Sequence, residues 1–150
     1  MKPLQILSAV HKASRRVAIH LEKETGALGV STVEGHILTY LLSYAPCPIS
    51  ELQSVFGTKP STLTSLLDRL ERRSLIVRRK NPEDGRSWRV TLRPDGKKLA
   101  GKLRRIVASL DGAIAASLRA GDIRGFRRVM DAVANLTGVD RITENKTGPR

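Results

Sequence analysis

The apolar residues of this chain change their spacing at Leu75, and few folds accommodate that change. Before it, Leu63, Leu66, Leu67 and Leu70 recur at intervals of three and four, which places them on one face of a helix. After it, "LIVRRK" is a β-branched and basic strand pattern. "SWRVTL" alternates strictly, with Trp88, Val90 and Leu92 to one side and Ser87, Arg89 and Thr91 to the other. Between the two strands, "NPEDGR" contains Asn-Pro and Asp-Gly, both turn signals, and is too long for a two-residue turn. The pattern predicts a helix followed at once by a two-stranded antiparallel hairpin, with Trp88 packed in the core beneath it.

The flanks read as helices. Leu7, Val10, Val17 and Leu21 share a face over residues 4–25, and Gly26 and Gly29 then break the chain. Ser31 with Glu34 is a capping box that starts a helix through Ile37, Leu38, Leu41 and Leu42, ended by "APCP". Ser50 with Gln53 reads as a second capping box, opening a short helix to about Phe56. "GTKP" is then a tight turn, and Pro60 suits the first turn of the leucine-striped helix, which runs to about Arg73. Pro94 and Asp95 start a long helix to about Leu118, with Leu99, Leu103, Ile106, Val107, Leu110 and Ile114 as its stripe. Gly121 and Asp122 mark a break before a last helix carrying Ile123, Phe126, Met130 and Val133. The class is therefore mainly α with a small β-hairpin. Its parts are an N-terminal helix (1–30), a central helical and hairpin domain (31–93), C-terminal helices (94–137) and a polar tail (138–150).

Composition bears on the partner. Lys and Arg number 27 against 14 Asp and Glu, a net charge of +13. A surplus of that size points to a polyanion, nucleic acid before an anionic membrane surface. No run approaches the roughly 18 apolar residues of a membrane span, and His11 and Lys12 interrupt the N-terminal apolar stretch too early for a signal peptide. Cys47 is the single cysteine, so no intrachain disulfide forms and a reducing compartment fits. The expectation is a soluble cytoplasmic protein, associated with the nucleoid. His11, His20 and His36 lack metal-ligand spacing, and the chain has no Gly-rich phosphate loop, nucleophile elbow or carboxylate pair. Neither an enzyme nor a cofactor is expected.

The leucine-striped helix leaves Ser61, Thr62, Thr64, Ser65 and Arg69 off its stripe, with Lys59 just before it. Short hydroxyl side chains let a helix approach the floor of a DNA major groove closely, and its N-terminal amides suit phosphate. Taken alone, the helix fits an ordinary amphipathic element equally well. The hairpin adds Arg78, Arg79, Lys80, Arg86 and Arg89, with only Glu83 and Asp84 among them, more cations than edge protection requires. Such a ribbon can lie along phosphates while Arg86 reaches the adjacent minor groove. Asp84 either shapes the turn or orients Arg86 by a salt bridge.

Residues 49–98, "ISELQSVFGTKPSTLTSLLDRLERRSLIVRRKNPEDGRSWRVTLRPDGKKL", resemble the winged helix-turn-helix core of the MarR family of bacterial and archaeal transcriptional regulators. The likeness rests on "STLTSLLDRLE" as recognition helix, the "LIVRR" strand, "PEDGR" before the second strand, and "LRPDGKKL" entering a long helix. It implies that Ser61, Thr62, Thr64 and Ser65 fall where the family contacts bases and phosphates, that Arg86 is the wing-tip arginine, and that Asp84 is its usual acidic companion. Ser65 departs from the pattern, since many members carry a basic residue there. The resemblance also implies a homodimer, and the three apolar helical stripes outside the central domain agree, because pairing two copies would bury them. Two reading helices would then sit about one turn of DNA, roughly 10 bp, apart. Members often respond to small phenolic or other anionic ligands held between the dimerisation helices and the winged domain. The function expected is that of a sequence-specific double-stranded DNA-binding regulator, a repressor on an inverted repeat that such a ligand releases. The alternative is a constitutive, low-specificity DNA-binding or architectural protein without an effector.

Overall fold

The computed structural model describes residues 4–137; the expected polar tail, 138–150, lies outside the described residues. Helix α1 (Leu7–Gly26) begins three residues later than the spacing implied and runs through Gly26, the turn falling at Gly29 with φ +72°. Helix α2 (Thr32–Tyr44) starts on the expected capping box. The Ser31 hydroxyl accepts the Glu34 N–H at 3.2 Å, and the Glu34 carboxylate accepts the Ser31 N–H at 2.9 Å. The second expected box does not form. A short strand β1 (Cys47–Pro48) leads directly into helix α3 (Ile49–Phe56), so Pro48 holds the N-cap and Ser50 lies inside the helix. Tertiary pairing decides this. Cys47 and Pro48 sit opposite Val90 and Arg89, which fixes them as extended chain and brings the helix start forward.

Gly57, left-handed at φ +57°, ends α3, and Pro60 occupies the first position of helix α4 (Pro60–Arg72). Ser74, left-handed at φ 56°, turns the chain out of α4 into strand β2 (Ile76–Lys80). Strand β3 (Trp88–Leu92) pairs antiparallel with β2 from Ile76↔Leu92 to Lys80↔Trp88. The sheet has three strands in the order β1-β3-β2, not the two of a bare hairpin. Helix α5 (Pro94–Ala116) and helix α6 (Ala120–Thr137) complete the order. Gly121 and Asp122 belong to the first turn of α6. The Asp122 carboxylate accepts the Arg119 N–H at 2.9 Å, so the residue expected to break the helix caps it.

The core sits in the winged portion. Ile37, Leu38 and Leu41 of α2, Leu52 of α3, Leu63, Leu67 and Leu70 of α4, Ile76, Val90 and Leu103 are all nearly inaccessible. Burial fades along the flanking helices. Leu21 and Thr25 are the buried residues of α1, α5 buries only Gly96, Ala100 and Leu103, and α6 buries none. The long stripe of α5 is therefore covered only near its start; Val107 and Ile114 stand exposed.

Candidate nucleic-acid interface

Helix α4 carries its leucines inward and its hydroxyls outward. Ser61, Thr62, Thr64 and Ser65 are exposed, while Leu63, Leu66, Leu67 and Leu70 are buried. The Thr64 hydroxyl donates to the Pro60 carbonyl at 2.9 Å, and the Ser65 hydroxyl donates to the Ser61 carbonyl at 3.0 Å. With their protons directed back along the helix, both oxygens face outward as acceptors. Lys59, exposed and extended, holds the N-cap position beside the free amides of the first turn.

The wing is built by side chains that fold onto their own backbone. Asn81, buried, accepts the Glu83 N–H through its side-chain oxygen and donates through its amide to the Ser87 hydroxyl. Its own N–H donates to the Ser87 carbonyl at 2.8 Å, closing the loop. Asp84 accepts the Arg86 backbone N–H at 3.1 Å. It shapes the turn, and no ion pair joins it to the Arg86 side chain, which stands exposed at the tip. Trp88 is not under the hairpin. It is 44% exposed, because the helical layer covers β3 only from Val90 to Leu92, and Lys80 lies 6.0 Å above its ring from the opposite strand.

Among the expected cations, the structure separates free from paired. Arg79, Lys80 and Arg86 are exposed on the wing. Arg89 donates to Glu83 at 3.1 Å. Arg69 donates through Nε to Glu34 at 2.9 Å, tying α4 to the start of α2. Burial pushes the Glu34 carboxyl up, but the Ser31 N–H and the Arg69 guanidinium outweigh it and hold the group below its ordinary value. Arg78 is gripped by Glu71 through three hydrogen bonds and by Asp68 at 2.7 Å. Asp68 and Glu71 did not stand out in the sequence, and Glu34 did so only as half of the capping box with Ser31. Asp68 and Glu71 do lie one helical turn apart immediately before a basic strand, a spacing that marks a shared acceptor.

A buried helical pair, a projecting helix and a basic two-stranded wing beside it define a winged helix-turn-helix protein. Residues 30–88 match the MarR family model. An uncharacterised HTH-type transcriptional regulator of Bacillus subtilis, YsmB, is 26% identical over 102 residues, which cover 65% of this chain and 70% of that protein. The MepR–DNA complex of S. aureus superposes with a TM-score of 0.80 at 17% identity, covering 89% of this chain and 98% of that one. A cysteine-to-serine mutant of E. coli MarR, complexed with operator DNA, gives 0.73 at 21% identity, covering 84% and 91%. Among the described residues, no cluster of three or more His, Cys, Asp or Glu could hold a metal ion, and no helix is long and apolar enough to cross a membrane.

Proposed function

We propose that this protein is a DNA-binding transcriptional regulator that works as a homodimer on an inverted repeat. One observation carries the reading: a helix whose opposite face is core presents four short hydroxyl side chains to solvent, flanked by a wing on which Arg79, Lys80 and Arg86 are exposed. The helix fits the major groove, its hydroxyl oxygens accept hydrogen bonds from base amino groups, and Arg86 enters the neighbouring minor groove. Lys59 and the first-turn amides of α4 take phosphate. Arg69, Arg78 and Arg89, spent on carboxylates, hold the surface in shape, and Asp84 presents Arg86.

The unburied apolar surface supports the dimer. Leu4, Ile6, Leu7, Phe126, Val129 and Leu136 are exposed, and a groove of about 740 Å³ runs between the N-terminal segment and α6, lined by Ile6, Leu7, Val129, Val133 and Leu136. A second copy is its occupant in this reading, since isolated soluble chains rarely leave such a patch open. A dimer seated across a promoter obstructs transcription, so repression is the expected sign. Release by a small phenolic or anionic ligand has narrower support. The cleft between α1, α2 and α5, lined by Leu21, Thr25, His36, Thr39, Leu103 and Val107, encloses about 10 Å³, so a ligand there requires the helices to part.

The charge distribution favours a second reading, a low-specificity binder. Residues 31–93 hold ten Lys and Arg against six Asp and Glu, whereas the rest of the chain holds 17 against 8, so most of the surplus lies away from the reading head. Titration of duplexes across salt separates the two. Both readings give steep salt dependence, and only the regulator keeps a specific-over-random ratio of about 10³ or more. Arg86→Ala should weaken binding to every duplex and lower the salt slope by about one; unchanged affinity at physiological salt refutes the wing assignment.

A further inference from the structure

We propose that Glu71, Asp68 and Arg78 form a clamp that sets the wing at a fixed position against the reading helix, making Arg78 a positioning residue for Arg86 and not itself a phosphate contact. This rests on the DNA-binding reading above.

Strand β2 is the outer strand of the sheet, so its outward N–H groups have no strand to pair with. At Arg78 that N–H donates to Glu71 Oε1 at 2.9 Å. The side chain of the same residue then turns back onto the same carboxylate. Its Nε and Nη2 donate to Glu71 Oε2 at 2.9 and 2.6 Å, and Nη2 also reaches Asp68 Oδ1 at 2.7 Å. Three carboxylate oxygens on α4 thus hold both the backbone and the planar guanidinium of one wing residue. A rigid fork bound at several points fixes orientation as well as distance, which a single flexible ion pair does not. The Arg78 and Glu71 side chains are 24% and 33% accessible, so the junction is partly withdrawn from water. Hydrogen bonding to Glu71 holds the guanidinium above its usual pKa, and although burial pushes Glu71 up, Arg78 outweighs it and keeps that carboxyl below its ordinary value.

Charge alone does not explain the arrangement. Asp68 and Glu71 place two anions beside one cation, next to a surface meant for a polyanion. A duplex loses attraction there in proportion to that extra negative charge. The adjacent Arg79 and Lys80 on the same strand are exposed and supply cations without such partners. What the two carboxylates contribute is geometry. β2 leads through Lys80 into the loop that carries Arg86, so fixing β2 on α4 fixes the distance between the hydroxyl face and the wing tip.

The two roles predict opposite signs. Full-length wild type, Glu71→Gln, Arg86→Ala and the double variant are titrated against a labelled duplex enriched by the wild-type chain from a random-sequence pool. Circular dichroism confirms that each is folded. If Arg78 is a plain phosphate contact restrained by acid, Glu71→Gln frees a cation, removes an anion, and tightens binding. If the clamp positions the wing, Glu71→Gln weakens binding about tenfold despite the charge gain. Arg86→Ala, costing about tenfold in the wild type, then costs less than about threefold in the Glu71→Gln background, because the tip is no longer held in place. Arg78→Lys, which keeps the charge and loses the fork, shows the same reduced Arg86 penalty, and it carries the cycle should Glu71→Gln fail to fold. Binding that is unchanged or tighter in Glu71→Gln, or an Arg86 penalty equal in both backgrounds, overturns the clamp alone. An Arg86→Ala variant that binds as wild type overturns the DNA-binding geometry and the clamp together.

Discussion

Gly96→Ala should destabilise this protein, although alanine is the better helix former. Gly96 lies in the first turn of α5, and a β-carbon built on it would stand 1.9 Å from the Leu75 carbonyl oxygen and 2.8 Å from its carbonyl carbon. Carbon and oxygen rest about 3.3 Å apart, so the two segments would have to separate by more than about 1 Å. The obstructing atoms are backbone, and they are not free to give way. The same Leu75 oxygen accepts the Arg93 N–H at 2.9 Å, which ties the entry of β2 to the start of α5. Overpacking of this kind costs about 1–3 kcal/mol, and the rigid obstacle puts it near the top of that range. The alanine helix preference returns at most about 1 kcal/mol. A net loss of about 2 kcal/mol corresponds to a fall in Tm of about 4–8 °C for a chain of this size. Differential scanning calorimetry at one fixed protein concentration measures it. Gly101→Ala, in the same helix with nothing within 4 Å of the added carbon, is the control and should raise Tm by about 1–4 °C. A Gly96→Ala variant melting within about 1 °C of wild type would refute the close-approach argument. Because Leu75 begins the run into β2, the same substitution should also weaken duplex binding.

Acid should unfold the protein through its paired carboxylates. Glu34 and Glu71 both titrate below the ordinary carboxylate value in the folded chain, so their contribution is present above that ordinary value and is lost as pH falls through their lowered ones; urea midpoints should fall as the pH is taken down through the carboxylate range. Glu34→Gln should flatten part of that acid limb, and an identical limb in the variant would show that the Arg69 and Ser31 contacts add nothing. Thr64→Val keeps the shape and removes the outward acceptor, so selection from a random pool should lose base preference at one position in each half-site while random-duplex affinity changes less than about threefold; an unaltered selected sequence would remove Thr64 from the reading face. Val129→Asp places a charge in the groove between the N-terminal segment and α6, and sedimentation should shift from dimer to monomer; a wild-type chain sedimenting as a monomer would dispose of the proposed pairing.

What was legible in the sequence was what local spacing decides. The stripe of Leu63, Leu66, Leu67 and Leu70, the Ser31–Glu34 box and Pro60 all act within one or two helical turns, and each stands where its spacing put it. The failures are tertiary. Ser50 and Gln53 have capping-box spacing, yet Cys47 and Pro48 are drawn into the sheet by Val90 and Arg89, some forty residues on, and the helix start moves with them. Trp88 keeps its place in the alternation of β3, but alternation does not say how far the helical layer extends, and the layer stops short of it. The cations were countable and their partners were not. Arg69 finds Glu34 across 35 positions, and Arg78 finds Glu71 across seven, so which arginines remain free for a ligand emerges only when the elements pack.

The distribution of burial says where control over binding has to act. Helix α4, wing and helical core share one buried cluster, and the ties from Glu34 to Arg69 and from Glu71 to Arg78 join α4 to α2 and to β2. Such a body has little freedom to change its own reading surface, because packed interiors resist continuous deformation. The flanking helices differ: α6 buries nothing, α1 keeps Leu21 and Thr25, and their remaining apolar surface is open to a second copy. In a dimer built that way, two rigid heads meet DNA at a separation set by lightly anchored helices. A shift of a few ångströms in α1 or α5 would carry through the whole head and put its helix out of step with a half-site fixed about 34 Å away. In such a dimer, an effector that changed the spacing between heads would weaken binding. The consequence is measurable: a disulfide or short crosslink joining the two copies across α6 at the DNA-bound spacing should abolish effector response while leaving duplex affinity intact, and a crosslinked dimer that still responds would place the switch inside the head.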